Sequence, residues 1–527
     1  MHDHGRLHLH HHEPGPSRPI AGRRRSVALG ILCLCALTAG LDMTIVNVAL
    51  PSIGRALDAP TSELQWTIDA YNIVLTGMLV LGGALADRYG RRRVFLASYT
   101  LFAIASLVAA FSPSTGALIA ARAVMGLGAA GVTAPALAII ASMYRPDERG
   151  RAIAAFVVFG ATGLAVGPIA GGILLDHFWW GSVFLVNAPI VAVGVVLGAR
   201  TIPESRAPVP DGRRPRLDVE GAALSVIGLG GLLFGIIEGP GRGWTSPAVL
   251  VGIVAGLAAL AGFVVRARRV SAPLFDVRIL ARPAVATGAM TLLVAYLLFT
   301  SFLFLTPQYL QDVQGESIVS VGLLLVPFAI VFGLCSLRAQ QVLQRLGPRR
   351  TITLGLVVTA VAVAGFAVAL TGSLWMTIAA SCVLGVGLSM LIAPPSTVVM
   401  NDLPQAKAGD GSSLNFVSRF AGASIGVAII GSIMASVYTR DLEDASLPSL
   451  GAEQTDKAEG SLQGALEVAR TLDPSAERSL TTAAMDAFDR GAAVAYSAVA
   501  VLAVIAAVVA WSALGRSSRP DRQGADR

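Results

Sequence analysis

The sequence predicts an all-α integral membrane protein of fourteen transmembrane helices, and three observations carry that reading. Of 527 residues, 54% are hydrophobic and only 14% are charged, against roughly 25% charged in an average soluble protein. The apolar residues fall in long runs, many of them 18 to 25 positions, the length that spans a bilayer core as helix. Most of the basic residues lie between these runs and alternate in density from one loop to the next. Together they exclude a soluble enzyme, a disordered chain and a disulfide scaffold.

The predicted spans, in order, are 27–49, 64–86, 94–112, 115–142, 151–175, 183–199, 219–237, 248–265, 284–306, 318–337, 352–370, 374–399, 411–436 and 491–512. The stretch before them, residues 1–26, reads as a disordered cytoplasmic tail rich in histidine. It holds six of the seven histidines and ends in Arg23, Arg24 and Arg25. It has no apolar core of its own, so it is not a cleaved signal, and the lack of ligand spacing argues against a metal site. The formal charge of +7 rests on arginine, the only lysines being Lys407 and Lys457. With the N-terminus placed inside, 31 of the 40 basic residues fall on the inner side and 7 on the outer. Five of those 7 belong to the long loop 437–490 and the other two are Arg55 and Arg242, while the last two of the 40, Arg122 and Arg419, lie within spans. That is strong obedience to the positive-inside rule and puts both termini in the cytoplasm. Trp66, Trp179, Trp180, Trp244 and Trp375 fall near outer span ends and Trp511 near an inner one, as an interfacial belt requires. The loop 437–490 carries 11 acids and 5 bases, with a short amphipathic helix expected near 461–471. Cys33, Cys35, Cys335 and Cys382 lie inside apolar runs and read as small buried hydrophobes.

The chain repeats itself. Gly126, Gly128, Ala134, Pro135 and Gly150 recur 259 positions later as Gly385, Gly387, Ala393, Pro394 and Gly409. The same offset carries Gly163, Gly167 and Gly172 onto Gly422, Gly426 and Gly431. Eight spans separate the copies, so both point the same way. This is a parallel repeat about an axis along the membrane normal, as in transporters whose halves rock about a central site. The expected organisation is an N-terminal six-helix bundle over 27–200, a linker with two inserted helices over 201–283, a C-terminal six-helix bundle over 284–512, and a cytoplasmic tail over 513–527.

Four motifs then carry a family resemblance. Gly83-Ala-Leu-Ala-Asp87-Arg88-Tyr-Gly90-Arg91-Arg92-Arg93 follows the second span on the inner side. Helix-ending glycine and positive-inside charge explain its arginines and Gly90 but leave Asp87 unexplained. The segment resembles the signature loop of the major facilitator superfamily. Arg122-x2-Met125-Gly126-x-Gly128 resembles that superfamily's fourth-span motif, with Met125 in place of the usual glutamine. Gly163-x3-Gly167-Pro168-x2-Gly171-Gly172 matches its fifth-span motif in full. Leu41-Asp42-Met-Thr44-Ile45-Val46-Asn47-Val48-Ala49-Leu50-Pro51, with Gln65-Trp66-x3-Ala70-Tyr71, is similar to the fourteen-span drug:proton antiporter family. Gly181 and Ser182 depart from that family's pattern. The resemblance implies a major facilitator fold, an inner-gate role for Gly83, Asp87, Arg88, Gly90, Arg91 and Arg92 with Asp87 also meeting a neighbouring helix N-terminus, and export in exchange for protons.

Proton exchange needs a titratable group inside the membrane. Asp42 and Asp69 are the acids well inside spans, and Asp42 and Arg122 each lie seven residues from the outer surface, about 10 Å deep, which permits a pair. Asp42, Asp69 and Arg122 are therefore the expected proton-coupling residues, with a passive, hydrated outer-mouth position as the alternative for Asp69. Asn47, Tyr71, Asn72 and Arg419 are expected to line a cavity for a small lipophilic or cationic substrate. The expected protein is a monomer driven by the proton gradient, without cofactor, metal or nucleic-acid partner. A dedicated exporter of one endogenous metabolite is the alternative, and a channel a remote one. No H-E-x-x-H and no P-loop is present, which argues against an enzyme or an ATP-driven pump.

Overall fold

The computed structural model describes residues 22–206, 217–270, 273, 276–369, 372–404, 407–445 and 450–517. The histidine-rich segment up to residue 21 and the arginines of the last ten residues lie outside them. Within the described residues the protein is helical throughout. The first half comprises α1 (Gly22–Leu57), α2 (Thr61–Tyr89), α3 (Arg91–Ala110), α4 (Thr115–Met143), α5 (Pro146–His177), the short α6 (Ser182–Leu185) and α7 (Asn187–Thr201). Two helices follow, α8 (Val219–Arg242) and α9 (Pro247–Arg269). The second half comprises α10 (Pro283–Asp312), α11 (Ile318–Ala369), α12 (Leu374–Asp402), α13 (Ala408–Glu443), α14 (Ala452–Gly460), α15 (Leu462–Ala469) and α16 (Pro474–Ser517).

Thirteen helical stretches are long and apolar enough to cross a membrane, and the protein is a multi-pass membrane protein. One of them, α11, runs for 52 residues. At 1.5 Å per residue that is about 78 Å, more than twice a hydrocarbon core. It breaks at Gly347, whose φ of 76° and ψ of 166° are not helical. Pro348 then starts the second arm, where its missing N–H costs nothing. The two arms are the tenth and eleventh spans, which restores fourteen. Gly90, between α2 and α3, also has a positive φ, of 116°, so both copies of the arginine-rich turn reverse on a glycine. Helices outrun the expected spans at the opposite face. There α13 continues to Glu443 and α16 begins at Pro474, so the long outer loop is largely helix, and α15 occupies 462–469 within the expected amphipathic segment.

Side-chain packing turns the sequence repeat into a structural one. In the first half α5 lies on α1, and α4 lies on α2 and α3. In the second, α13 lies on α10, and α12 lies on α11. A Cβ at Gly163 would overlap the Leu37 carbonyl of α1, and one at Gly422 would overlap the Leu293 carbonyl of α10. Thr44 Oγ1 donates to the Leu164 carbonyl at 3.2 Å, and Thr300 Oγ1 donates to the Ala423 carbonyl at 2.9 Å. Leu164 and Ala423 are 259 positions apart, and Thr44 and Thr300 are 256 apart. Without water to drive apolar faces together, such backbone proximity and hydrogen bonding are what hold helices against each other in lipid.

The halves meet along two seams related by the repeat, α5 with α11 and α2 with α13. The inserted α8 packs on α9 and covers one of them, touching both α2 and α13. It is clasped there by Trp66 Nε1, which donates to Glu238 Oε1 at 3.0 Å, and by Ser432 Oγ, which donates to the Ile236 carbonyl at 2.7 Å. On the face opposite the arginine-rich loops, α14 and α15 sit over the junction. Lys457 Nζ lies 2.9 Å from Asp58 Oδ2 of the first half and 3.0 Å from Glu467 Oε2, and Tyr438 Oη donates to the Ala458 carbonyl at 2.9 Å.

Adding one methyl group at a glycine contact separates these helices. Gly163→Ala and Gly422→Ala are each expected to cost about 1–3 kcal/mol, read as a lower Tm in detergent. Gly30→Ala, with no atom within 4 Å of the added carbon, is expected to leave Tm unchanged or slightly raised.

Candidate functional site

Asp42 of α1 and Arg122 of α4 are brought together at 2.8 Å, Nη1 to Oδ2, with side chains 0% and 2% exposed. One helical turn past Arg122, the bare backbone of Gly126 abuts the Tyr71 carbonyl of α2. That close approach brings α2 within reach of the guanidinium. Arg122 Nε donates to the Thr67 carbonyl at 3.0 Å, and the guanidinium lies 4.4 Å from the Tyr71 ring centroid. Met125, the departure from the family pattern, puts its sulfur 3.9 Å from Arg122 Nη1. The other Asp42 oxygen accepts from Asn187 Nδ2 at 3.4 Å. Asn187 also donates to Ser106 Oγ at 3.3 Å, and Ser106 donates to the Phe184 carbonyl at 2.8 Å. The pair therefore ties α1, α2, α4 and α7 together, with α3 reached through Ser106. A buried ion pair persists only where such extra hydrogen bonds offset its desolvation.

Asp69 lies apart from the pair, on the face of α2 that meets α13. It is fully buried, and neither carboxylate oxygen has a hydrogen-bond partner. The Ser424 hydroxyl of α13 lies beside it. The hydrated outer-mouth alternative is therefore corrected, because α13 and α8 both pack on α2 and seal the seam that depth alone left open. Between the halves, a cavity of about 10 Å³, the size of one water, is lined by Asp42, Met43, Asn47, Tyr71, Asn72 and Arg122 together with Thr300 and Val427 of the second half. Asn47 turns its amide N–H to the Met43 carbonyl at 3.0 Å and leaves its buried Oδ1 without a partner. Arg419, also expected to line the cavity, is not among the lining residues. It donates from Nη2 to Ser396 Oγ of α12 at 3.3 Å.

The exporter motif on α5 works at two contacts. Gly163, Gly167 and Gly171 face α1, while Gly172 meets Val319 and Ile318 of α11. The Pro168 carbonyl lies 2.6 Å from where Gly322 of α11 would carry a Cβ, so this motif builds the seam between halves. In the arginine-rich loop, Gly83 packs near Ala134, Asp87 pairs with Arg91 at 2.8 Å, and Arg88 lies 5.7 Å from the Tyr89 ring centroid. Among the described residues, Arg91 spans to the Ala138 carbonyl near the end of α4 at 3.5 Å, and Arg92 donates to the Ala199 carbonyl of α7. Glu204, which sequence reasoning passed over, accepts from the Arg92 backbone N–H at 3.1 Å and lies 3.8 Å from Arg93. Asn187 and Ser106 were also passed over as site residues. Thr300 carried a usable signal, its offset of 256 from Thr44.

The family model of the Major Facilitator Superfamily matches residues 32–427. The chain is 31% identical to the methyl viologen resistance protein SmvA of Salmonella typhimurium over 94% of its own length and 99% of that protein's. It is 33% identical to the multidrug efflux pump LfrA of Mycolicibacterium smegmatis over 96% and 99%. It is 29% identical to the tetracenomycin C resistance and export protein of Streptomyces glaucescens over 94% and 92%. Among solved structures, a bacterial homologue of the lysosomal transporter Spinster, inward-facing and unoccupied, superposes with a TM-score of 0.67 at 15% identity. The match covers 95% of this chain and all of that one, and at that identity the likeness is one of fold.

Removing one partner of the buried pair strands the other. Arg122→Met is expected to cost about 3–5 kcal/mol, and Asp42→Asn combined with Arg122→Met to recover a substantial part. Thermal unfolding of the three proteins checks this. A double variant no more stable than Arg122→Met would mean that the charge of Asp42 is not what the arginine offsets.

Proposed function

The chain belongs to the major facilitator superfamily, and we propose that it exports drugs and similar lipophilic or cationic small molecules from the cytoplasm in exchange for protons. It is a secondary transporter of the efflux class, not an enzyme. The single observation that carries the coupling reading is the pair of buried acids: Asp42 held by Arg122 at 2.8 Å, and Asp69 buried with no hydrogen-bond partner. A charge inside a bilayer costs about 2.5–3.5 kcal/mol on insertion scales, so acids there are retained for a function. In the proposed cycle a proton reaching Asp42 releases Arg122, which is then free to reorganise Tyr71 and Asn187 around the cavity. Asp69, at the α2–α13 seam, binds its own proton or the cationic group of a substrate. Asn47, Tyr71 and Asn72 supply the polar contacts of the substrate path.

Alternating access follows from the seams. Polar links between the halves lie toward the face opposite the arginine-rich loops. Arg55 Nη1 pairs with Asp312 Oδ1 at 3.2 Å, and Gln311 Nε2 donates to the Val48 carbonyl at 3.1 Å. Gln65 Nε2 donates to the Val427 and Ala428 carbonyls at 3.1 Å. These links belong to a state closed outside, and opening outward requires that Arg55–Asp312 and Gln311–Val48 break. The arginine-rich loops face the cytoplasm in this reading, with both termini on that side of the plasma membrane, and the arginine–carbonyl contacts of Arg91 and Arg92 brace the inner ends of α2, α3, α4 and α7. The transporter acts as a monomer on the proton gradient alone, with 27–200 and 284–512 as the rocking bundles and 201–283 as the inserted pair. Likeness to the tetracenomycin C resistance and export protein supports a second reading, a dedicated exporter of one endogenous product by the same mechanism.

In cells expressing the chain, efflux of a cationic dye is expected to collapse with a protonophore and to survive ATP depletion. The reverse pattern would overturn antiport. Asp42→Asn is expected to lose most proton-driven transport and to flatten its pH dependence. An Asp42→Asn protein with an unchanged pH profile would move the coupling role to Asp69, tested in the same assay by Asp69→Asn.

A further inference from the structure

Arg419 is the second basic residue within the spans, and unlike Arg122 it has no carboxylate within 4 Å among the described residues. It sits on α13, eleven residues from the helix start at Ala408, roughly 16 Å along the axis, and its side chain is only half-buried. Its guanidinium lies 5.6 Å from the ring centroid of Tyr296 on α10 and 6.0 Å from that of Phe416. Ser396 Oγ of α12 accepts from Nη2 at 3.3 Å, and Nε, although buried, has no acceptor. Phe416 stacks on Phe420 with the ring planes 9° apart. The result is a planar cation edged by parallel aromatic rings, with a donor left unspent.

The repeat shows that this arrangement is not demanded by the fold. The offset of 256 that carries Thr44 onto Thr300 carries Gly40 onto Tyr296, and the offset of 259 that carries Leu164 onto Ala423 carries Gly160 onto Arg419. In the first half that spot is closed by direct contact, since a Cβ on Gly40 would overlap the Gly160 carbonyl. In the second half the two glycines are a tyrosine and an arginine. The neighbouring threonine hydrogen bonds survive in both halves, so the helix pairs are otherwise alike. The fold can be built with bare backbone here, and the second half places a half-buried charge within a span instead. A guanidinium with a free N–H in a low-dielectric site favours an anionic or strongly accepting oxygen, and the flanking rings favour a flat apolar body.

We propose that Arg419, Tyr296, Phe416, Phe420 and Ser396 form a subsite for planar aromatic molecules that carry a carboxylate or phenolate oxygen. This rests on the export reading above and adds to it a class of substrate that the acids of the first half would not select. Arg419 binds the acidic oxygen through Nε and one terminal nitrogen, and the ring system of the substrate lies against Phe416 and Phe420.

The test uses two dyes of one ring system and opposite charge, fluorescein and rhodamine 123, in proteoliposomes of the full chain with an imposed proton gradient. The wild-type protein is expected to transport both. Arg419→Gln is expected to slow fluorescein transport at least fivefold while rhodamine 123 stays within twofold, and that retained transport shows that the variant is folded. Arg419→Lys, which keeps the charge but not the planar fork, should fall between. Equal loss of both dyes in Arg419→Gln, or no loss of either, would overturn the subsite. Wild-type protein that moves rhodamine 123 but not fluorescein would overturn it while leaving export intact. Failure to move either dye would count against export of this aromatic class, and the subsite would fall with it.

Discussion

Two helix pairs, α1 with α5 and α10 with α13, are held at backbone contact by glycines, and the rest of the molecule depends on that proximity. Lipid tails are as apolar as leucine, so burying apolar faces against each other gains little inside a bilayer. What remains is close packing and polar contact. Glycine supplies the first, letting the Leu37 and Leu293 carbonyls meet the opposing helix without a side chain between them. The threonines supply the second, since Thr44 and Thr300 reach carbonyls that would be out of range across a wider gap. These contacts leave no room for an added atom.

The buried charges are arranged on top of that frame. Arg122 is enclosed on every side that the helices offer it, by a carboxylate, a carbonyl, a sulfur and an aromatic face. Its field is therefore largely spent within the first half. Asp69 and Arg419 are less committed, one having no hydrogen-bond partner and the other only a hydroxyl beside its rings. Asp69 lies on the α2–α13 seam, and Arg419 lies between α10, α12 and α13.

Much of the fold was legible because membrane spans are written in one dimension. Apolar run length and arginine placement each depend on position along the chain, not on which helix lies beside which. The break in α11 was legible too, as the gap between the expected spans 318–337 and 352–370. Depth was the one site coordinate the sequence carried: Asp42 and Arg122 were matched by equal distance from the outer surface, and they pair. Rotation about each helix axis was not legible. Asn187 and Ser106 depend on it, and so does the Glu204 contact with Gly90 and Arg92. Asp69 shows the same limit from the other side. Its place within a span was legible, but its burial is decided by the neighbours α13 and α8, and their placement is a tertiary fact.

The inserted helix α8 has a mechanical consequence. The two seams between the halves are equivalent by the repeat, yet α8 rests on both α2 and α13 and is pinned to each, through Trp66 and Ser432. Any rotation of one half against the other must slide past α8 on that side or carry it along. Among the described residues, neither inserted helix packs on the α5–α11 seam. One seam is thus plain and the other braced, so a repeat that makes the two seams equivalent in sequence leaves them unequal in load.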